Sequence, residues 1–490
     1  MSIHPVDALI VFVYGVMVTW LGIRIGRGSK TSSDYLLGGR SLPWYAVLGS
    51  IVATETSTAT FLSVPGLTFA DGGNFCYLQL AIGYIIGRLL IARFMLPMYF
   101  RGELFTAYEV LHKRFGGATR RTASLIFLVT RNLGDGLRLF LTAIVLNKVA
   151  GFNLPTCIII IGIATIAYTF AGGMKAVVWN DCIQLVVYVC GGAIALWLII
   201  SRMPGGWSEI TSFMTQHDKF QMFDFRMDFS RTYTFAAGLV GGAMLTLGTH
   251  GTDQMMVQRY LCTSGQREAG RAVIMSGVIV FLQFSLFLML GGALACYYSA
   301  RPDSPAFSSN DEVLATFIVR EMPIGLVGVT LAAVFSAAMS TLSSSLNSSA
   351  GAVVNDFLAT SLTDAQQVRA SRGLTIGFGV LQMAIAIVAS HYSRSVINDV
   401  LAIAGFSAGL LLGLFILGTA TKRVGQTCAM AGLLSGTLAL LILKFGRSMH
   451  LEVPVELAWP WYPVVGAFVT VLAGLIFEQI RRLFLQNKPA

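Results

Sequence analysis

Thirteen apolar runs, each long enough to cross the hydrocarbon core of a bilayer, follow one another along these 490 residues with hardly a soluble stretch between them. They lie at about 6–27, 42–67, 74–99, 121–148, 154–171, 177–202, 233–250, 271–299, 324–350, 369–391, 395–420, 427–445 and 461–480. Backbone inside lipid must satisfy its own hydrogen bonds, and runs of this length do so as helices. The expected fold class is therefore an all-α polytopic membrane protein forming one integral domain over 1–490. Hydrophobic residues make up 55% of the chain and charged residues only 12%, which excludes an ordinary soluble enzyme.

A formal net charge of +10 could point to nucleic acid, but the position of the charge argues otherwise. With the N-terminus outside, one set of loops carries twenty lysines and arginines, Arg259 among them, against ten in the other set. The positive-inside rule then places the N-terminus out and the C-terminus in. The cations set topology, the partner surface is the lipid bilayer, and no nucleic-acid partner is expected. The seven cysteines are scattered through apolar runs without metal spacing and read as reduced packing residues. Val6 to Ile25 lacks a basic lead and a small-residue cleavage site, so it reads as a retained helix rather than a signal peptide. The chain runs eight residues past Arg482, so the cytoplasmic catalytic domain of a sensor kinase is not expected. No P-loop, nucleophile elbow, HExxH or dinucleotide fingerprint appears, so no enzymatic activity is expected.

One span departs from lipid-facing composition. Over 329–350, Ser336, Ser340, Ser343, Ser344 and Asn347 recur at helical spacing, while Leu331, Val334, Ala338 and Leu342 cover much of the remainder. Small hydroxyl residues let helices approach closely. Oxygen is also what a hard cation such as Na+ requires once its water is stripped. Spacing alone leaves both readings open.

Two other spans look unsuited to a continuous helix. The run 42–67 contains Ala53-Thr54-Glu55-Thr56-Ser57-Thr58 and then Pro65-Gly66, and 233–250 contains Gly238, Gly241, Gly242 and Gly248. Each opens a block of five spans, 42–202 and 233–420, with an extra first helix at 6–27 and peripheral helices over 427–480. Broken helices in matching positions of two halves point to an inverted-repeat transporter with its site at the midplane. Unwound backbone is tolerated at that depth only where it faces a cavity or an ion.

Three stretches carry a family resemblance: Gly172-Gly173-Met174-Lys175-Ala176-Val177-Val178-Trp179-Asn180-Asp181-Cys182-Ile183-Gln184, Gly251-Thr252-Asp253-Gln254-Met255-Met256-Val257-Gln258-Arg259-Tyr260, and Ala337-Ala338-Met339-Ser340-Thr341-Leu342-Ser343. Together they resemble the sodium/solute symporter family, which includes sodium/proline, sialic acid and glucose transporters. The resemblance implies a LeuT-like five-plus-five inverted repeat of thirteen helices. It implies a Na+ held by the carbonyls of Ala53, Thr56 and Ala337 and the side chains of Ser340 and Thr341. A second Na+ is implied at Asp181 with Ser343 and Ser344, although Asp181 also suits an interfacial helix cap beside Trp179. Implied solute contacts are Thr54, Thr58, Gln79, Gly241, Gly242, Thr246 and Phe406.

Three charged positions remain open from the residues themselves. Glu55 could raise local negative potential, bind a substrate amine, carry a proton, or pair with Arg131 or Arg138. Arg131 and Arg138 flank Asp135 at helical spacing, either as an ion-pair ladder or with one arginine free to clamp a solute carboxylate. His250 reads as a hydrogen-bonded structural residue. The expected function is Na+-coupled import of a small organic solute by alternating access, with an organic anion favoured over a sugar or amino acid by the arginines. The alternatives are a transporter-like membrane sensor and a Na+-independent exchanger. A monomer in the inner (plasma) membrane, using one or two Na+, is expected.

Overall fold

The computed structural model describes residues 4–26, 31–102, 104–301, 307, 309–358, 362–392, 396–445 and 456–486. The helices that frame the molecule are α1 (Pro5–Gly26), α2 (Trp44–Glu55), α3 (Thr58–Phe69), α4 (Leu78–Leu90), α5 (Gly117–Ala150), α6 (Leu154–Arg202), α7 (Gly206–Gln216), α8 (Gly242–Gly251), α9 (Gln254–Leu261), α10 (Gln266–Ser299), α11 (Leu326–Val353), α12 (Asp364–Tyr392), α13 (Val396–Ala420), α14 (Gln426–Phe445) and α15 (Tyr462–Gln486). Among the described residues nine helices are long and apolar enough to span a membrane, and α2 with α3 makes a tenth span bent by 62°. The described residues contain no sheet, only an isolated bridge between Leu42 and Thr263.

The first break falls where the polar run lies. Thr56 (φ −84°, ψ 106°) and Ser57 (φ −98°, ψ 172°) are extended between α2 and α3, so carbonyls near the end of α2 are freed from helical bonding. The second break differs from the glycine-based expectation over 233–250. A π turn at Ala237–Gly241 runs straight into α8, and the chain leaves the helix only at Thr252 and Asp253. The glycines serve close approach instead. A Cβ on Gly241 would meet the Pro460 carbonyl at 2.6 Å, and one on Gly242 the Leu80 carbonyl at 2.8 Å. Asp253 caps the restart, its carboxylate accepting the Met255 N–H at 2.8 Å.

Helix α6 contains 49 residues, about 74 Å at 1.5 Å per residue, more than twice the bilayer core. Gly173 (φ +57°, ψ −160°) breaks it into two membrane-length pieces. A side chain there would be strained and would meet the Tyr35 carbonyl at 2.5 Å, so glycine is required. Helix α11, the hydroxyl-bearing span, lies at the centre against α6, α1, α12 and α5 and is buried over almost its whole length. A helix buried all round has no lipid face on which to place leucine, and its serines sit among protein.

On the side where α3 ends, the segment after α7 folds back over the bundle. The Lys219 ammonium donates to the carbonyls of Thr68 (2.7 Å), Ala70 (3.1 Å) and Gly73 (3.5 Å), a cation at a helix C-terminus. Burial pulls its pKa below the usual lysine range.

Candidate cation and solute site

Where α2 ends, α11 presents two hydroxyls to the freed carbonyls. Ser340 Oγ donates to the Ala53 carbonyl at 2.9 Å and lies 3.2 Å from the Ala337 carbonyl; Thr341 Oγ1 donates to the Thr54 carbonyl at 3.1 Å and lies 3.4 Å from that of Ala337. Five oxygens thus converge with no formal charge among them. Ligands about 2.4 Å from a hard cation stand about 3.4 Å apart in an octahedral shell, so these separations need only a few tenths of an ångström to admit one. Ala53, Ala337, Ser340 and Thr341 come together. The second α2 carbonyl in the cluster is that of Thr54, while the Thr56 hydroxyl accepts from Gln283 Nε2 at 2.6 Å, and Gln283 Oε1 accepts from Tyr188 at 2.7 Å.

One turn towards the start of α2 lies a second, charged cluster. Asp181 on α6 and Arg259 on α9 are both fully buried, 3.1 Å apart. Ser50 donates to Asp181 Oδ2 at 2.5 Å, and the guanidinium donates to Ser50 (2.8 Å), to Thr54 Oγ1 (2.6 Å) and to Ser344. The guanidinium stands where the family resemblance places a second Na+. Asp181 Oδ1 and both polar atoms of the Gln184 amide nevertheless have no hydrogen-bond partner among the described residues. A buried carboxylate oxygen left unpaired is costly, and Asp181 Oδ1 fits a cation that would bind on its side. Asp181 is therefore held inside the bundle by an ion pair, not set at an interface as a helix cap.

Glu55 pairs with neither expected arginine. It accepts from Arg88 on α4, whose other nitrogen reaches Ser276 on α10 at 2.9 Å, and His250 Nε2 lies 3.5 Å from the same carboxylate. The cluster ties the end of α2 to α4, α8 and α10. Arg88 was detectable: of the two arginines in the run 74–99 it is the one nearer the middle, where an arginine is expensive in lipid unless paired.

Arg131 and Arg138 both line a crevice between α5, the end of α8 and α13, beside Asp253 and Ser407. Arg131 pairs with Asp253 and, at 3.9 Å, with Asp135, whereas Arg138 pairs with Asp135 alone among the described residues. The other expected solute contacts are engaged elsewhere. Thr54 belongs to the charged cluster. Thr58 Oγ1 bonds Thr142 Oγ1 at 3.0 Å. Gln79 staples the segment after α7, donating to the carbonyls of Cys76 (3.0 Å) and Tyr233 (3.1 Å) and accepting the Asp224 N–H at 3.1 Å. Gly241 and Gly242 are packed as described, Thr246 is buried against Gly87, and Phe406 meets Tyr462 edge-on at 5.9 Å. Arg259, counted among topology-setting loop cations, is instead wholly buried, and only its place in the motif could have signalled that.

A bundle of apolar helices, broken at the membrane interior beside a buried oxygen cluster, is the architecture of a membrane transporter. The model of the Sodium:solute symporter family matches residues 35–436. The sodium/sialic acid symporter SiaT of Proteus mirabilis (strain HI4320) is 30% identical over 97% of this chain and 96% of its own. The human sodium/iodide cotransporter is 29% identical over 91% of this chain and 70% of its own. Among solved structures, a substrate-bound, outward-open Na+-coupled sialic acid symporter superposes with a TM-score of 0.88 at 28% identity, covering 97% of this chain and 98% of the other. A nucleobase-cation-symport-1 family transporter in a closed conformation shares the fold alone, with a TM-score of 0.57 at 13% identity over 92% and 95% of the two chains. This chain belongs to the sodium:solute symporter family.

Proposed function

We propose that this protein carries a small organic anion into the cell together with Na+, by alternating access. The architecture is a LeuT-like bundle of thirteen spans in the plasma (inner) membrane, with inverted repeats over 42–202 and 233–420, the N-terminus outside and the C-terminus inside. The nine apolar helices, with α6 counted as two spans, each broken helix as one and the 34-residue α5 added, support that number. Removing buried Arg259 from the loop cations leaves nineteen against ten, and the inferred orientation is unchanged. A monomer suffices, since every group invoked lies within one chain.

The observation that carries this reading is the contact of the Ser340 and Thr341 hydroxyls with the carbonyls of Ala53 and Thr54. Na+ shared by these oxygens would tie α2 in the first repeat to α11 in the second and favour the conformation in which both are in place. Solute that prefers the same conformation then binds more tightly, and the coupling is reciprocal. The membrane potential adds about 2.3 kcal/mol per 100 mV for each Na+ carried. A second Na+ at Asp181 Oδ1 with Ser343 and Ser344 would double that term. For the solute, Arg138 is the better anion ligand, having among the described residues one carboxylate partner where Arg131 has two. Relatives described as sialic acid, iodide and monocarboxylate transporters all carry anions, which supports the same class.

The test is uptake into proteoliposomes under an inward Na+ gradient, with sialic acid, short monocarboxylates and iodide beside glucose and proline, and with 22Na+ followed in parallel. Saturable, Na+-dependent uptake of an anion that Ser340→Ala/Thr341→Ala abolishes is expected. Uptake indifferent to Na+, or to the double substitution, would overturn the coupling.

A further inference from the structure

Behind the ion-bearing face of α11, an apolar groove of about 680 Å³ runs between α1, the first half of α6 and α11. Along α1 its lining extends from Ala8 to Ile23, about 22 Å of helix rise, which is longer than half of the about 30 Å bilayer core. The hydroxyl of Tyr14 in its wall is already bonded to Ser336 Oγ at 2.5 Å, so water entering the groove would find little to bind there. An empty groove is equally unfavourable, because wall atoms without neighbours forfeit dispersion contacts. Phe12 and Trp20, at 67% and 55% exposure on a membrane-length helix, are covered by bilayer hydrocarbon. One turn beyond Trp20, the exposed guanidinium of Arg24 lies 5.1 Å over the indole ring. That puts a fixed cation at the mouth of an apolar channel, as an anionic headgroup requires.

We propose that this groove binds one acyl chain of a membrane phospholipid, with the lipid phosphate at Arg24. The chain lies along the Tyr14–Ser336 contact and against Met339, the residue before Ser340, whose own carbonyl is held by Tyr168 at 2.9 Å. The lipid is thus part of the packing behind the helix that presents the ion-binding hydroxyls. Gly15 provides a direct way to close the site. A Cβ built there meets no atom within 4 Å, so a side chain can enter the groove without displacing protein.

Native mass spectrometry of the full-length protein, titrated with phosphatidylglycerol or phosphatidylethanolamine in mild detergent, tests the assignment. Wild type is expected to take up one phospholipid at least about tenfold more tightly than any further ones, about 1.4 kcal/mol. Gly15→Phe, with the smaller Gly15→Leu beside it, removes that first adduct. Val13→Phe, which places the same aromatic ring on the lipid-facing side of α1 outside the groove, leaves it in place. Arg24→Ala weakens phosphatidylglycerol about threefold or more, one phosphate contact's share. Retention of the adduct by both Gly15 variants overturns the site. A first adduct that is detergent alone, or a dimer lost on Gly15 substitution, overturns the occupant.

Discussion

The two polar clusters between α2 and α11 lie within one helical turn of each other and are built on opposite principles. At Ala53, Thr54, Ala337, Ser340 and Thr341 the oxygens are carbonyls and hydroxyls, so charge arrives only with a bound ion. At Asp181 a carboxylate is already matched by the Arg259 guanidinium, with Ser50, Thr54 and Ser344 completing the set. A neutral site can fill and empty as the ion comes and goes, since the empty state buries no unpaired charge and in the filled state the oxygen shell replaces the ion's water. A charged site must keep its own cation or exchange it for another.

Breaking the charged cluster should give the largest effect. Arg259→Gln leaves Asp181 buried without its partner, at a cost of about 3–5 kcal/mol of stability, and adding Asp181→Asn should recover more than half of it. Thermal unfolding in detergent, in Na+-free buffer, reads this directly. A single Arg259→Gln as stable as wild type only when Na+ is present would mean that the ion can replace the guanidinium, and the two clusters would then be two Na+ sites. Next in size is Ser340→Ala/Thr341→Ala. At about 1.4 kcal/mol for each oxygen removed, Na+ affinity falls about 100-fold. Na+-dependent stabilisation, worth about 2.7 kcal/mol at a hundredfold excess over the wild-type Kd, should shrink to about 0.4 kcal/mol at the same Na+ concentration, and loss of the two buried hydrogen bonds should lower stability without Na+ by about 1–3 kcal/mol.

Glu55 sharpens the contrast because it is a charge beside the neutral site rather than in it. Its carboxylate is already offset by Arg88, so the pair acts on the ion as a dipole. Glu55→Gln should weaken Na+ binding by about three- to fivefold, or about 0.7–1 kcal/mol, measured by 22Na+ competition. A loss as large as that of the hydroxyl pair would make Glu55 an ion ligand.

The helices, the first break and the hydroxyl face were legible because each rests on local composition. Apolar length marks the spans, Ala53 to Thr58 is a polar run where lipid tolerates none, and Ser336, Ser340, Ser343, Ser344 and Asn347 recur at helical spacing, whereas Thr341 came only with the family resemblance. The partners were not legible, because pairing across the bundle depends on which faces meet. Glu55 finds Arg88, 33 positions away, not Arg131 or Arg138. Arg259 sits next to a loop in sequence but inside the protein in space. Gly241 and Gly242 resemble helix breakers and are contact points, since glycine signals close approach as readily as unwinding.

Thr56 gives the finest distinction. Its hydroxyl is fixed by Gln283, which Tyr188 holds in turn, so the backbone at the break is positioned from α10 and α6. Thr56→Val keeps the shape and removes that acceptor, costing about 1 kcal/mol of stability. If the carbonyls of Ala53 and Thr54 complete the site from α2, Na+ affinity changes less than about twofold, because both carbonyls lie on the helical side of the break. If the Thr56 carbonyl is also a ligand, releasing the tether lets it swing away and affinity falls about tenfold, the worth of one oxygen. Isothermal titration of Na+ into the two proteins separates these outcomes and decides whether the neutral cluster ends at the last turn of α2 or extends into the extended residues beyond it.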